Sequence, residues 1–346
     1  MDWLREMPAF PDVSGIVVVD GGGTRSRAAV ATGDGDLVGY AEGGPTNSRS
    51  AGDATAAENT HDVIAEAVAE AGSAGPPVTA VLVTSASVDT RAHAEVLAGG
   101  VRRAVPAGAT IAVVADTLGC WAATAKMAPA VAVIAGTGSS VLAASLEEGS
   151  RRFGGWDYVL GDEGSGFAIG VSALRETLLV SEGRSDASAL AQACRQRLGI
   201  AAEVDELFDR IYKPAVDKAA VAAFAQDVFD LANGGDGPSA RLIEEEAGRL
   251  AATVAAAVDQ FHELGTLGCF GGIWNDDLYR RSFAAGLSDQ VAEVPDIVHP
   301  GDVAMAGALR IVLRHHHHAS PGPGDPAEDA AVARFADELA AAKAVE

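Results

Sequence analysis

The chain has 346 residues, of which 48% are hydrophobic and 5% aromatic, a globular composition long enough for two domains. A net charge of −23 at pH 7 excludes a surface suited to nucleic acid or to anionic lipid. The acidic residues are spread along the whole chain, which favours adaptation to a salty cytoplasm over an acidic surface for one cationic partner.

The N-terminal segment and the cysteines bear on the compartment. Residues 1–12 lack the apolar core of a signal peptide, and no apolar run reaches the ~20 residues that span a bilayer. The three cysteines, Cys120, Cys194 and Cys269, are far apart and form no C-x-x-C motif, so a metal or redox motif is unsupported. We therefore expect buried thiols in a reducing compartment and a cytoplasmic protein.

The first predicted element is a buried strand over residues 14–20, which ends in Asp20 and is followed by three glycines and Thr24. A second strand follows, and the turn residues 33–35 predict a hairpin to a third strand. A dinucleotide-binding fingerprint needs a helix after the glycine turn, so this order excludes it. A Walker A motif is absent as well, because no Gly-Lys pair occurs in the chain.

The next segments alternate between helices and strands. We predict a helix over 52–72, a strand over 78–87 and, after a further helix, a strand over 110–116 that ends in Asp116. The pattern then restarts at 130–145 with an apolar strand, a Gly-Thr-Gly turn and another strand. This echo of the opening segment predicts two lobes built on one plan.

The rest of the chain is predicted to be largely helical. A glycine-rich loop leads into a helix over 153–180, and a short strand, a Gly-Gly turn and a helix are predicted over 265–287. A closing helix is predicted over 301–314, and the final charged, alanine-rich helix resembles an appendage. The predicted divisions are an N-terminal lobe, a C-terminal lobe, a His/Pro/Gly linker and a C-terminal helix, over 14–128, 129–314, 315–326 and 327–346.

The two glycine turns, at 21–23 and 136–138, are candidates for phosphate binding. Glycines let consecutive backbone N–H groups converge on an anion, because no Cβ blocks its approach. In the first turn Thr24 adds a hydroxyl, and Asp20 could hold Mg²⁺ through water. The alternative at each turn is a tight structural hairpin. One such turn is a weak signal, whereas two at the ends of two apolar strands could grip a polyphosphate from opposite sides.

Two further positions stand at the ends of predicted strands. Asp116 lies where a strand meets a helix, so it could cap that helix or act as a general base toward a bound hydroxyl. Gly271 and Gly272 follow a short strand and precede a helix. Bare backbone there could accept a flat ring such as adenine, and ordinary close packing is the alternative.

The most distinctive segment is GGWDYVLGDEGSG, over residues 154–166. The adjacent acids Asp162 and Glu163 suit sugar hydroxyls, because each carboxylate oxygen accepts a hydrogen bond. Trp156 could pack on the apolar face of a sugar ring or brace the loop. The alternative is a capping cluster at the start of a helix, with Ser165 as the cap, but that leaves the tryptophan and four glycines unexplained.

In this order, the motifs resemble the N-acetylglucosamine kinase and BadF/BadG/BcrA/BcrD-type ATPase family of the actin, hexokinase and Hsp70 superfamily. The matching segments are DGGGT, GGPTNS, Asp116, GTGS, GGW-x4-GDEGSG and GG, at 20–24, 43–48, 116, 136–139, 154–166 and 271–272. The resemblance covers roughly residues 14–314. It implies an α/β fold of two actin/hexokinase-like (ribonuclease H-like) lobes, each a mixed β-sheet with flanking helices, around a cleft for ATP, Mg²⁺ and a sugar.

The resemblance also implies a role for each matching residue. The residues implied to bind ATP phosphates are Asp20, Gly22, Gly23, Thr24, Arg25, Gly136, Thr137, Gly138 and Ser139. Those implied to contact adenosine are Gly271 and Gly272. Those implied to contact the sugar are Asn47, Gly155, Trp156 and Asp162, to which the paired-acid argument adds Glu163. Asp116 would take the proton of the sugar 6-hydroxyl as that oxygen attacks the γ-phosphate, and Asp20 would hold Mg²⁺ through water.

The sequence departs from the family pattern at three places. TSASVD at 84–89 replaces a Leu-Ala-Gly type loop, and Ala115 and Thr117 flank Asp116 where members often carry Asn and Ala. GGIW replaces the more usual Gly-Gly-Val-Phe. The first two changes lie near the implied sugar site, so they affect the choice of sugar more than the choice of reaction.

The leading prediction is an ATP-dependent kinase for an amino sugar of the N-acetylglucosamine or glucosamine type, with no nucleic-acid or membrane partner. One alternative is an ATPase that activates a reductase or dehydratase, which needs clustered cysteines for an iron–sulfur cluster. Another is a non-catalytic sugar or nucleotide sensor, which the retention of Asp116 and of both glycine turns disfavours. The sequence is compatible with a homodimer but fixes neither the oligomeric state nor the sugar.

Overall fold

The computed structural model describes residues 2–73, 75–86, 88–201, 204–212, 217–301, 303–316 and 325–344. The chain divides into two compact units. The first comprises Met1–Ala132, Ala144–Arg151 and Pro300–Glu346, and the second comprises Val133–Ala143 and Arg152–His299. The sequence predicts that the C-terminal lobe extends to residue 314, whereas this division places Pro300–Glu346 in the first unit.

The elements alternate as expected, with strands first and helices dominating after residue 160. The strands are β1 (Gly15–Gly21), β2 (Ser26–Thr32), β3 (Leu37–Gly43), β4 (Ala80–Ser85), β5 (Thr110–Ala115), β6 (Ala130–Ala135), β7 (Ser139–Ser145), β8 (Gly149–Phe153), β9 (Thr266–Phe270) and β10 (Asp296–Val298). The helices are α1 (Ser48–Ala51), α2 (Asp53–Ala71), α3 (Arg91–Ala104), α4 (Asp116–Ala125), α5 (Gly166–Ser181), α6 (Ser188–Leu198), α7 (Val204–Tyr212), α8 (Lys218–Ala222), α9 (Phe224–Asn233), α10 (Gly237–Val258), α11 (Asp277–Ser288), α12 (Ala304–His316) and α13 (Pro326–Lys343), with a 3₁₀ helix at Gly272–Asn275.

The first five-stranded sheet has the order β3-β2-β1-β4-β5. β1, β2 and β3 pair antiparallel, as the predicted hairpins require, while β4 and β5 add in parallel. β1 and β4 are apolar because both faces are covered: α2 and α3 close one core, and α12 also contacts both strands. The glycine turn and Asp116 thus follow β1 and β5 of a mixed sheet.

The second five-stranded sheet has the order β10-β9-β6-β7-β8. β6 is an almost fully buried apolar strand, and the predicted Gly-Thr-Gly turn joins it to β7. The sequence analysis missed β8 and β10, which are short and carry arginines or an aspartate, so neither shows a clear apolar alternation. Two mixed five-stranded sheets with flanking helices confirm the predicted fold class.

The C-terminal helix α13 is packed into the first unit and is not an appendage. Arg310 and Arg314 on α12 are 5% and 6% exposed, and both form ion pairs with the buried carboxylate of Glu328 on α13. α12 continues to His316 and α13 begins at Pro326, so both described ends of the predicted linker are helical. Residues 317–324 of that linker lie outside the described residues. Among the helices of the described chain, none is long and apolar enough to cross a bilayer.

Candidate active site

The first glycine turn connects β1 to β2 and leaves two backbone donors free. The Gly22 N–H donates to the Arg25 carbonyl at 2.9 Å and closes the turn. In the part of the chain that the structure describes, the N–H groups of Gly23 and Thr24 have no acceptor. A Cβ at position 23 would meet only the Asn47 amide nitrogen, at 3.9 Å. The turn therefore offers two donors beside open space, as an anion site requires.

The second turn, between β6 and β7, repeats this arrangement. The Gly136 N–H donates to the Gly138 carbonyl at 2.9 Å, and within the described ranges the N–H groups of Thr137 and Gly138 have no acceptor. A Cβ at Gly136 would meet no atom within 4 Å. In each turn the N–H of one glycine, Gly22 or Gly136, closes the loop, and the next two N–H groups have no acceptor in the described residues. The similarity of the two segments in sequence is therefore matched by a similar pattern of hydrogen bonds.

Asp20, at the end of β1, is paired with an arginine that the sequence analysis missed. Arg27 lies directly opposite Asp20 on β2, and its guanidinium forms an ion pair with the Asp20 carboxylate. The two side chains are 9% and 20% exposed, respectively. The pairing of Arg27 with Asp20 could be predicted from the register of the hairpin, because opposite residues of an antiparallel pair have their side chains on the same face.

Asp116 is the first residue of α4, and its carboxylate accepts the Thr117 N–H at 2.8 Å. Burial of the carboxylate, followed by the negative charge of Asp20, raises the pKa of Asp116 to about 6. The hydrogen bond from the Thr117 N–H stabilises the ionised form and offsets only part of this rise. A carboxylate with this pKa is a stronger base than an ordinary aspartate and is still mostly ionised at pH 7. The position thus combines the two predicted roles, a helix-terminal acid and a candidate base.

Arg25 and Asn47 complete the predicted residues of the first unit. The Arg25 side chain is 64% exposed, and its Nη1 lies 3.9 Å from the Glu42 carboxylate. The Asn47 side-chain oxygen accepts the Arg49 N–H at 2.9 Å and caps α1, which leaves the amide nitrogen of Asn47 on the side of the first turn. Asn47 therefore lies beside the phosphate turn, whereas Arg25 lies on the solvated edge of the hairpin.

The acidic part of the loop 154–166 packs against the second turn. Asp162 Oδ1 accepts the Ser139 N–H at 3.3 Å, and the Ser139 hydroxyl donates to the Glu163 carbonyl at 2.8 Å. The Asp162 side chain is 4% exposed. Ser165 caps α5 by accepting the Ala168 N–H at 3.2 Å, as the capping alternative predicted. The loop and the second turn therefore form one hydrogen-bonded unit.

Lys218, at the start of α8, joins this cluster and was also missed. Its Nζ lies 2.6 Å from Asp162 Oδ2 and 2.5 Å from Asp157 Oδ1. Burial disfavours the ammonium, but the hydrogen bonds and charges of Asp157 and Asp162 outweigh it and raise the pKa of Lys218. More than 50 residues separate Lys218 from either acid in the sequence, and no local pattern links them.

The tryptophan end of the loop is exposed. Trp156 is 57% exposed, and the guanidinium of Arg152 lies 4.3 Å from the centre of its ring. Gly155 has a φ of 66°, and a Cβ there would lie 2.6 Å from the Ser140 hydroxyl, so close packing alone requires glycine. Glu163 is partly exposed. Trp156 and Glu163 are thus accessible to a ligand, while Asp162 is buried.

The two adjacent glycines Gly271 and Gly272 have different roles. Gly271 has a φ of 103°, and a Cβ there would lie 2.3 Å from the Ala135 carbonyl, so the approach of β9 to β6 requires it. At Gly272 a Cβ would meet no atom within 4 Å. Gly271 therefore has the packing role that the alternative interpretation predicted, and Gly272 has the bare, open backbone that a flat ring would need.

The cysteines do not form a cluster of the kind the ATPase alternative requires. All three are buried. Burial raises the pKa of the Cys194 thiol to about 11 and raises that of Cys269 further. In the described residues, the grouping of potential metal ligands consists of Glu58, His61 and Asp62, with no cysteine among them.

One family model matches most of the chain, and the similar proteins include sugar kinases. The model of the BadF/BadG/BcrA/BcrD ATPase family matches residues 17–311. An N-acetylmuramic acid/N-acetylglucosamine kinase of Clostridium acetobutylicum is 27% identical over 244 residues, which are 70% of this chain and 79% of that protein. A solved structure from Chromobacterium violaceum, assigned as an N-acetylglucosamine kinase, has a TM-score of 0.70 at 24% identity and covers 87% of this chain and 99% of its own. A ROK family glucokinase from Streptomyces griseus, in complex with glucose and AMPPNP, has a TM-score of 0.52 at 19% identity, with coverages of 86% and 98%. The two structural likenesses show a shared fold.

Proposed function

The chain belongs to the BadF/BadG/BcrA/BcrD ATPase family, and from this premise we propose that it is an ATP-dependent sugar kinase. The reaction we propose transfers the γ-phosphate of ATP to the 6-hydroxyl of an amino sugar. The observation that carries the proposal is the repeated glycine turn, with two available N–H donors in each unit. The kinase relative from Clostridium acetobutylicum supports the substrate class.

The residues present fit a polyphosphate with its metal. The N–H groups of Gly23 and Thr24 in one turn, and of Thr137 and Gly138 in the other, would bind phosphate oxygens. Asp20 would hold Mg²⁺ through water, since Mg²⁺ keeps several waters and uses few carboxylates. When bound, Mg²⁺ neutralises charge that develops on the transferred phosphoryl group and the leaving oxygen.

Asp116 and three further side chains have the remaining proposed roles. Asp116 would accept the proton of the sugar hydroxyl, and its raised pKa supports this assignment. Asn47, Trp156 and Glu163 would orient the sugar by hydrogen bonds and by packing on its apolar face. The Asp162 carboxylate is directed at Ser139 and Lys218, and its predicted sugar contact remains a prediction.

The test is ADP release with Mg²⁺ in high KCl, over a panel of N-acetylglucosamine, N-acetylmuramic acid, glucosamine, N-acetylmannosamine and glucose. We expect an amino sugar to stimulate release and ³¹P NMR to place the phosphate on the 6-oxygen. The matched control is the 6-deoxy form of the best sugar, which should bind without being phosphorylated. If no sugar on the panel stimulates ADP release, the kinase proposal fails.

The family's other activity is the second candidate. An ATPase that energises a reductase or dehydratase would hydrolyse ATP without sugar and would hold iron on cysteine thiolates. The burial of all three cysteines favours the kinase. Iron bound after anaerobic purification, together with sugar-independent ATP hydrolysis, would reverse this preference.

A further inference from the structure

We propose that Lys218 is a phosphate-binding residue of the second glycine turn and that Asp157 competes with the phosphate for its ammonium group. The inference rests on the proposed ATP-dependent function and deepens it by naming the cation of the second turn. The ligand it selects is a polyphosphate, because the surrounding backbone donors also favour an anion.

The first step in the argument is position. Lys218 Nζ lies 3.1 Å from the point that a Cβ at Gly138 would occupy, and the two carboxylate oxygens of its partner Asp162 lie 3.0 and 3.1 Å from the same point. The ammonium group therefore borders the turn whose N–H groups at Thr137 and Gly138 have no acceptor among the described residues. A phosphate oxygen bound by these two donors would lie next to a positive charge, as does a phosphate beside a phosphate-loop lysine.

The second step is the count of donors. A lysine ammonium group has three N–H donors. Two of them are directed at Asp157 and Asp162, so one remains for a ligand at the turn. The centre of the Tyr158 ring lies 5.8 Å from Nζ, a distance at which the ring does not take up that donor as a hydrogen-bond acceptor would.

The third step separates the two acids. Asp162 is 4% exposed and also accepts the Ser139 N–H, so it belongs to the fixed part of the turn. Asp157 is 24% exposed and lies earlier in the loop, at a φ of 66°. The carboxylate of Asp157 can therefore be neutralised without loss of the hydrogen bond that the Ser139 N–H donates to Asp162.

A purely structural role for Lys218 makes a different prediction. If the lysine only fixes the loop through its two ion pairs, loss of either partner loosens the same cluster, and both variants weaken nucleotide binding. If the lysine binds phosphate, removing the lysine weakens binding, whereas neutralising Asp157 strengthens it. The signs of the two changes therefore distinguish the roles.

The experiment measures the affinity of AMPPNP with Mg²⁺ by calorimetry, at one fixed KCl concentration, for the wild type and four variants. Lys218→Met should weaken binding about tenfold or more, the loss typical of a hydrogen bond to a charged group. Lys218→Arg should retain part of the affinity, and Asp157→Asn should tighten binding. Lys343→Met, at the end of α13, is the matched lysine control and should bind as the wild type does.

The outcomes also separate this inference from the proposed function. Lys218→Met binding within twofold of the wild type, or Asp157→Asn weakening it, would overturn the role of Lys218. If Lys218→Met does not fold, the sign of the Asp157→Asn change still decides. A wild type that binds AMPPNP through Lys218 but phosphorylates no sugar would overturn the kinase and leave this inference standing, whereas one that binds no AMPPNP would overturn both.

Discussion

At the scale of single residues, the proposed mechanism needs the charged form of Asp116 at a site that disfavours negative charge. Burial and the neighbouring Asp20 raise its pKa to about 6, so the ionised form is less favoured here than for an aspartate in water, although it still predominates at pH 7. We expect Asp116→Asn to lower kcat by roughly 10²–10⁴-fold, the usual contribution of a general base, with AMPPNP affinity retained. Asp34→Asn, in the exposed turn between β2 and β3, is the control and should keep full activity. Unchanged kcat in Asp116→Asn would remove this residue from the base role.

The same pKa predicts the dependence of the rate on pH. In the proposed mechanism the deprotonated form of Asp116 is active, so kcat/KM for the sugar should be constant above about pH 7 and fall tenfold per pH unit below about pH 6. An ordinary aspartate would place this fall near pH 4. The measurement is the initial rate at limiting sugar and saturating ATP across pH 4.5–8.5. ADP is detected directly, without coupling enzymes whose own activity depends on pH. A profile flat down to pH 5 would contradict the assignment.

Stability should change in the opposite direction from activity. The folded pKa of Asp116 lies above the unfolded value of 3.8, so the folded state binds more protons in this interval, and stability is lost as pH rises from about 4 to about 6. Above that interval the charged carboxylate costs about 1–2 kcal/mol, discounted for its partial exposure. Asp116→Asn should therefore have a higher free energy of unfolding than the wild type at pH 8, and the difference should be smaller at pH 5. Urea unfolding at constant KCl measures both.

At the scale of elements, α4 carries Asp116 and is fixed along its length. On one side it packs against α12 so closely that a Cβ at Gly307 would lie 1.9 Å from the Gly119 carbonyl. Beyond its C-terminal end, Lys126 Nζ lies 2.7 Å from a carboxylate oxygen of Asp329 on α13. The C-terminal helix, which follows the last matched family residue in the sequence, thus contributes to holding the helix of the candidate base.

The contact between α12 and α13 supplies a stability test. Glu328 is 5% exposed and forms ion pairs with both Arg310 and Arg314, and Arg310 also pairs with Asp329. Glu328→Gln removes the carboxylate that the two buried guanidinium groups share and should cost about 3–5 kcal/mol. The matched control on the same helix is Arg334→Met, which removes an exposed pair with Asp36 and should cost less than about 1 kcal/mol. Urea unfolding gives both values, and equal losses in the two variants would contradict the importance of burial.

Elements were predictable from the sequence where one local signal dominates. Apolar runs gave β1, β4 and β6, glycines gave both turns, and a serine before an apolar run gave the cap of α5. Partners that lie far away in the chain were not predictable, because neither Lys218 beside Asp162 nor Glu328 beside Arg314 has a periodicity or spacing that encodes it. Arg27 is the intermediate case, since the register of a predicted hairpin places it opposite Asp20.

At the scale of the whole molecule, the net charge of −23 acts on both stability and ligand approach. Self-repulsion among like surface charges destabilises the compact state, and salt screens it. The same field repels ATP, which is itself an anion. The cations of the candidate site, Arg27 and Lys218, are each paired with acids, so they contribute little positive potential at long range. Salt should therefore favour both folding and the approach of nucleotide.

The corresponding prediction concerns the melting temperature and its dependence on KCl. Screening alone should raise the melting temperature most steeply below ~0.2 M KCl, because the Debye length is already about 8 Å at ~0.15 M and about 3 Å at ~1 M. Adaptation to a salty cytoplasm predicts a rise that continues above ~1 M, beyond what screening of surface charges supplies. NaCl at equal ionic strength is the control, since screening does not distinguish the two cations. A melting temperature that is unchanged or falls between 0.05 and 1 M KCl would contradict the proposal that the acidic surface is adapted to salt.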